Sequence, residues 1–360
     1  MAVQNFTYSA LPTRVIFGSG TSARLPEEVE RLGARRALVL ATDAQRAQAE
    51  AIAALLGDAA VGIFSDAVMH TPVAVSESAT ELARFLRADV LVAVGGGSTT
   101  GLGKAIALRT DLPQIVLPTT YAGSEMTPII GETVDGIKKT QTTQKVLPEV
   151  VIYDVDLTLD LPPALSGTSG MNAIAHAVEA LYARDRNPVI SALALEAIGS
   201  LARSLPVIAR EPRDPDARGD ALYGAWLCGI CLGSVGMALH HKLCHVLGGS
   251  FDLPHAETHT IVLPHALSYN APAIADVMGR LERVLGGEPC RALYDLGRSI
   301  GAPGSLAALG MAESGTEQAA SIALANPYWN PRPLEKEAIR DLIARAHAGV
   351  PPLVELRRST

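Results

Sequence analysis

Apolar residues over the first 160 positions come in short continuous runs separated by helical stretches. Ala37-Leu38-Val39-Leu40, Val61-Gly62-Ile63-Phe64, Asp89-Val90-Leu91-Val92-Ala93-Val94 and Gln114-Ile115-Val116-Leu117 read as strands. Residues 44–56, 76–86 and 101–108 between them read as helices. Strands that are apolar at every position are buried on both faces, which predicts a parallel sheet covered by helices. After Asp154 the pattern changes. Segments 170–183, 188–209, 217–247 and 335–347 carry a long helical period, and strand-like runs nearly vanish. The expectation is an α/β, Rossmann-like parallel-sheet domain over residues 1–160 and an all-α domain over 161–360. The boundary falls at Leu161-Pro162-Pro163, and a cleft is expected between two closely packed domains.

Composition narrows the class. Hydrophobic residues make up 48% and charged ones 19%, which suits a buried core and not a disordered chain. The balance of 30 basic to 37 acidic residues, a net charge of −7, argues against broad nucleic-acid or membrane-surface binding. It leaves room for a small anionic substrate. Cys228 and Cys231 form a C-x-x-C inside an apolar run, so they read as helix-core thiols. Neither a signal-like N-terminus nor a run of about 18 apolar residues is evident, and a cytoplasmic enzyme is expected.

Two glycine-rich segments compete for a phosphate role. Gly18-Ser19-Gly20-Thr21-Ser22-Ala23 fits G-x-G-x-x-A, with Asp43 about 20 residues on. The unit is short for βαβ, and it also reads as a turn before a helix near Ser22. Gly95-Gly96-Gly97-Ser98 is the stronger candidate, because it joins the best strand to a helix. Glycines let backbone N–H groups approach phosphate oxygens, and the helix N-terminus adds positive potential. Thr119, Thr120 and Ser124 follow the next strand. Asp43, the glycine loop and these hydroxyls all lie at strand carboxyl ends, where parallel sheets bind ligands. Asp43 reads either as a ribose hydroxyl acceptor or as a helix N-cap.

Histidines carry the second constellation. His240, His241, His245, His255 and His259 fall within twenty residues. His241 and His245 are four apart on a predicted helix and share a face, as do Asn172 and His176 upstream. His255 reads as a loop residue, and His240 as pointing elsewhere. Two such pairs with a third histidine suit a metal site or acid–base chemistry.

Gly95–Ser98, Pro118–Glu125, Gly170–His176 and His241-x-x-x-His245-x-Leu247-Gly248-Gly249 through His255 resemble the iron-containing (group III) alcohol dehydrogenases over nearly the whole chain. The resemblance implies the same two-domain, dehydroquinate synthase-like architecture, a homodimer, and pyrophosphate binding at Gly95–Ser98 rather than at the N-terminal G-x-G. It implies nucleotide contacts from Asp43, Thr119, Thr120, Ser124 and a lysine near Lys138-Lys139, with Lys139 the chosen candidate. It places His245 beside the nicotinamide and metal ligands at positions 172, 176, 241 and 255. Position 172 is Asn where the family has Asp. A neutral amide is a poorer cation ligand, so His176, His241 and His255 with Asn172 are expected to work without a required divalent metal.

Asn172, Tyr121–Glu125 and the segment Asn326 to Pro333 are similar to the maleylacetate-reducing branch of that family. That branch reduces a carbon–carbon double bond of a dicarboxylate in bacterial aromatic degradation. The expected cofactor is NAD(H), with NADP(H) open. His241 and His255 would be donors to an enolate oxygen, supported by His176 and Asn172. Arg332, Lys138 and Lys139 are candidates for the substrate carboxylates. Other readings are a metal-dependent alcohol dehydrogenase, a zinc hydrolase using the histidines to activate water, and a nucleotide-binding regulator without turnover.

Overall fold

A computed structural model of the chain describes residues 5–134, 137–326 and 328–353. Among the described residues, eight strands and four α-helices lie before residue 160. The strands are β1 (Arg14–Gly18), β2 (Ala37–Leu40), β3 (Ala60–Phe64), β4 (Val90–Gly95), β5 (Gln114–Pro118), β6 (Ile129–Val134), β7 (Ile137–Thr142) and β8 (Val150–Asp154). The helices are α1 (Leu25–Arg31), α2 (Arg46–Leu56), α3 (Val73–Phe85) and α4 (Gly97–Thr110). Six strands form one parallel sheet in the order β1-β8-β5-β4-β2-β3. Strands β2, β4, β5 and β8 are buried along their whole length, as continuous apolar runs require of a sheet covered on both faces. The expected α/β sheet with a helical C-terminal part is the architecture observed.

Local differences have physical causes. Strands β1 and β8 add to the four expected ones, β8 as a further apolar run from Val150 to Tyr153, whereas the antiparallel hairpin β6–β7 is not marked by apolar runs because its strands carry Thr, Lys and Gln. Helix α4 starts four residues before the expected position. Gly96 is its extended N-cap, so three poor helix formers, Gly97, Gly101 and Gly103, sit inside it.

The remaining helices are α5 (Pro163–Tyr182), α6 (Pro188–Arg210), α7 (Pro215–Ser234), α8 (Leu239–Phe251), α9 (His255–Asn270), α10 (Ala275–Leu285), α11 (Pro289–Ser299), α12 (Gly315–Ala325) and α13 (Lys336–Ala348). The single segment expected over 217–247 is two helices. At the break the Gly236 N–H donates to Asp185, and the Ala238 and His240 N–H groups donate to Glu179. Two carboxylates therefore satisfy amides that a continuous helix would have bonded internally. The chain divides into two compact units. One comprises residues 9–161 and 213–222; the other comprises 1–8, 162–212 and 223–360.

In the helical unit α5 packs on α6 and α9, and α9 also packs on α8, α11 and α13. Close approach of α5 needs its glycines. A Cβ on Gly170 would lie 2.6 Å from the Leu205 side chain, and one on Gly167 would lie 2.9 Å from Ile300. Helix α6 is long and apolar enough to cross a membrane by length and composition, although Glu196 and Arg203 interrupt it, and half of that stretch is buried within the fold. Cys228 and Cys231 are buried free thiols, as helix-core residues should be.

Candidate active site

In the sheet unit, strand register brings the loops to one edge. Gly95 pairs with Pro118, Leu40 with Ala93, and Gly18 with Asp154. The segments after β2, β4 and β5 therefore emerge together, with Gly97 exposed and Gly96 and Ser98 half-buried. Gly95 has φ +153, and a Cβ there would lie 2.4 Å from Thr99 Oγ1 and 2.6 Å from Gln45 Oε1. A Cβ on Gly96 would lie 2.8 Å from Thr120 Oγ1. Two successive positions thus tolerate no side chain, which keeps the first turn of α4 open to a close-approaching anion.

Thr119 is buried and fixed from two sides. Its N–H donates to the Gly95 carbonyl at 3.1 Å, and its Oγ1 accepts from Gln45 Nε2 at 2.6 Å. Sequence patterns point to Asp43 and pass over Gln45 two residues on. Asp43 opens a short 3-10 turn after β2, with Thr42 as N-cap, so the N-cap reading of Asp43 fails. Its side chain is 86% exposed and lies 3.4 Å from Arg46. Ser124 is held through its backbone: buried Lys104 donates to the carbonyls of Ser124 at 2.6 Å, Thr127 at 2.7 Å and Ile129 at 2.8 Å. Burial pushes the Lys104 ammonium down to about 7, against the charge of nearby Glu125, which favours the charged form. Lys139 is exposed on β7 opposite Glu132 in the hairpin. The Lys138 side chain and Pro327 lie outside the described residues.

The N-terminal G-x-G already holds an anion of its own chain. The Gly20 and Ser22 N–H groups donate to the Asp154 carboxylate at 2.9 and 2.8 Å.

In the helical unit, Asn172, His176 and Glu179 lie at i, i+4 and i+7 on α5 and form one stripe. All three are buried. Glu179 is the residue that organises the site. It accepts from the Ala238 N–H at 2.9 Å, the His240 N–H at 2.8 Å and His241 Nδ1 at 2.7 Å. Its carboxylate thus caps the N-terminus of α8, where a negative charge is favoured. Burial alone would push the Glu179 carboxyl up, but the hydrogen bond and charge interaction with His241 outweigh it and hold the group at about 2.

The rings gather around this carboxylate. His176 stacks on His241 with centroids 5.0 Å apart, and His241 lies 6.3 Å from His245. His245 and His255 are both exposed, with rings 6.4 Å apart and 18° from parallel. His255 is the first residue of α9 rather than a loop residue. His240 is not incidental: it is buried, and its Nε2 lies 3.0 Å from Nδ1 of His259. Burial, reinforced by neighbouring histidines, brings His240 down to about 3 and His176 well below the ordinary histidine range. Both are neutral near pH 7. Among the described residues Asn172 Oδ1, His176 Nδ1 and His241 Nε2 are buried without a hydrogen-bond partner.

Residues 12–155 match the description "Iron-containing alcohol dehydrogenase", and residues 166–347 match "Fe-containing alcohol dehydrogenase family, C-terminal". The chain belongs to the iron-containing alcohol dehydrogenase family. Within that family it is 57% identical over 350 residues to a maleylacetate reductase from Rhizobium sp. (strain MTP-10005), covering 97% of this chain and 100% of the other. It is 58% identical over 349 residues to a maleylacetate reductase from Sphingobium indicum, covering 97% and 99%. Among solved structures, the maleylacetate reductase from Agrobacterium tumefaciens superposes with a TM-score of 0.95 at 56% identity, covering 97% of this chain and 100% of that one. An iron-containing alcohol dehydrogenase from Corynebacterium glutamicum gives 0.91 at 41% identity, covering 96% and 97%.

Two expectations for an iron-containing alcohol dehydrogenase site change on this geometry. Arg332 is engaged by α9: it donates to the Tyr269 carbonyl at 2.9 Å and lies 4.4 Å from the centre of the Tyr269 ring. It clamps the segment after α12, together with the Asn270–Asn330 amide pair, and this role displaces the substrate-carboxylate reading. His241 has its Nδ1 proton committed to Glu179, so a neutral His241 turns a lone pair at Nε2, not a donor. Glu179 itself carries a weak signal in the sequence, one helical turn beyond His176 on the same stripe.

Proposed function

We propose that the protein reduces the carbon–carbon double bond of maleylacetate to 3-oxoadipate with a nicotinamide cofactor. One observation carries this reading: near end-to-end identity of 57–58% to maleylacetate reductases. The polar histidine cluster with Asn172 is compatible with it. NAD(H) would bind through Gly95, Gly96, Gly97 and Ser98, with Asp43, Thr119, Thr120, Ser124 and Lys139 as nucleotide contacts and His245 beside the nicotinamide. The exposed Asp43 carboxylate disfavours a 2′-phosphate; Arg46 beside it offsets part of that effect, so NADP(H) is the weaker cofactor.

The reaction adds hydride to the alkene carbon β to the ketone. The alkene π pair becomes an enolate whose charge sits on the ketone oxygen, and a proton then adds at the adjacent carbon. In this scheme His255 donates to the oxygen. His241 accepts while neutral and becomes a proton source only as an imidazolium balanced by Glu179. Asn172 and His176 line the site.

The family also implies a metal. Unpartnered Asn172 Oδ1, His176 Nδ1 and His241 Nε2, with the Glu179 carboxylate behind His241, fit a divalent ion together with His255. When bound, that ion would polarise the substrate carbonyl. Asn172 supplies no charge to it, so the proposal is that turnover does not require it.

The decisive assay follows NADH oxidation with maleylacetate against simple alcohols and aldehydes, with and without chelator. Preference for maleylacetate that persists in chelator is expected. Alcohol turnover restored only by added iron or zinc would instead support the metal-dependent reading, and ester or amide hydrolysis without NADH binding the hydrolase reading. A cytoplasmic homodimer is part of the proposal, and light scattering checks the dimer.

A further inference from the structure

His259 has no role in the reaction scheme above, and with His255 read as a loop residue its spacing does not single it out in the sequence. It lies one turn beyond His255 on α9 and is 0% exposed. Its Nδ1 is paired with His240 Nε2 at 3.0 Å. Its Nε2 has no hydrogen-bond partner among the described residues. The ring lies 4.3 Å from His255, 5.0 Å from His241 and 6.5 Å from His176, centroid to centroid.

Four buried polar atoms thus lack partners on side chains grouped around one another: Asn172 Oδ1, His176 Nδ1, His241 Nε2 and His259 Nε2. Leaving one such atom unsatisfied is costly, and four together mark a place built for a polar ligand. Their chemistry is uneven. Asn172 Oδ1 is an acceptor, and a neutral His241 presents a lone pair because its proton faces Glu179. An oxygen gaining negative charge beside these two groups meets acceptors, so a donor has to come from another ring. His259 supplies one when His240 donates Nε2–H to His259 Nδ1, which leaves the His259 proton on Nε2. Cys244 Sγ lies 3.7 Å from His240 Nε2, and the three donor atoms of His240, Cys244 and His259 fall within 4.8 Å. The 3.0 Å contact already uses two of them as a hydrogen-bonded pair.

We propose that His259 is a substrate-binding residue whose Nε2–H holds the oxygen that becomes negative during reduction, with His240 as the positioning residue that fixes its tautomer. This rests on the enone-reductase reading.

Two substitutions separate the two ring nitrogens. His259→Asn keeps a polar group at the place of Nδ1, facing His240, and removes Nε2. His259→Gln carries an amide near the place of Nε2. The expected result for His259→Asn is turnover with maleylacetate lowered by about 10²-fold, affinity for 3-oxoadipate in calorimetry lowered about 10-fold, and NADH affinity unchanged with a melting temperature within about 3 °C of wild type. His259→Gln retains clearly more turnover than His259→Asn. Full activity of His259→Asn, or zinc binding at one equivalent that is lost in both variants while 3-oxoadipate affinity is unchanged, overturns the proposal. If His259→Asn does not fold, His240→Met is used: about 10-fold lower turnover, restored by His240→Gln, is expected, and unchanged turnover overturns it. A wild-type protein that does not reduce maleylacetate refutes the enone reading itself, whereas active wild type with an unimpaired His259→Asn refutes only this inference.

Discussion

Glu179 and His241, 62 residues apart in sequence, are joined by a 2.7 Å hydrogen bond from imidazole Nδ1 to carboxylate. The same carboxylate takes the first free amides of α8, so the helix start and the ring orientation are set by one group. Loss of that charge therefore affects both folding and chemistry. Glu179→Gln is expected to lower stability by about 3 kcal/mol, the scale for breaking a buried charged pair, and turnover by about 10²-fold. Thermal melts and steady-state kinetics check this; a variant with wild-type turnover would refute the orienting role.

Gly96→Ala should abolish tight NADH binding, because the new Cβ falls 2.8 Å from Thr120 Oγ1 and 2.9 Å from Thr120 Cγ2. Thr120→Ala removes both atoms, so the double variant should recover part of the affinity. Fluorescence titration with NADH reads the cycle, and equal losses in single and double variants would place the clash elsewhere.

His255→Ala is expected to lower turnover by roughly 10²–10³, the scale of a lost oxyanion-hole donor, and His241→Ala by roughly 10², the scale of a lost acid–base group, with NADH affinity little changed. Retention of full activity by both would remove these residues from the mechanism.

Asn172→Asp returns an anionic oxygen to a set of neutral imidazoles. Its affinity for zinc or iron should rise at least about 10-fold over wild type, measured by metal analysis after dialysis against graded chelator. Wild-type turnover with maleylacetate should survive the same chelator.

His265 on α9 gives a pH dependence. Burial, then the charge of Arg345, brings it down to about 4. In the unfolded chain it titrates near 6.5. Below 6.5 the unfolded state binds a proton that the folded state refuses, so stability present above 6.5 is lost as pH falls toward 4, by about 1.4 kcal/mol per pH unit. His176 and His259 shift in the same direction and steepen the loss. Melting temperatures of His265→Gln between pH 7 and 5 should fall less steeply than those of wild type; parallel curves would count against the assignment.

The legible part of this protein lay in local patterns. Continuous apolar runs at 90–94 and 115–117 marked buried parallel strands, because such a strand must be apolar on both faces. Three glycines after the best strand marked a close backbone approach, and i,i+4 spacing put Asn172 with His176 and His241 with His245. These follow from the sequence by itself, as does the family resemblance. Periodicity states which residues share a face, but not which faces meet. Only the tertiary structure brought Glu179 under α8, paired His240 with His259, put Gln45 rather than Asp43 against Thr119, and filled the N-terminal G-x-G with Asp154. Each of these is a hydrogen bond between distant segments. Its partner is chosen by burial: a carboxylate or imidazole taken from water must find whatever polar group the packed chain brings within reach.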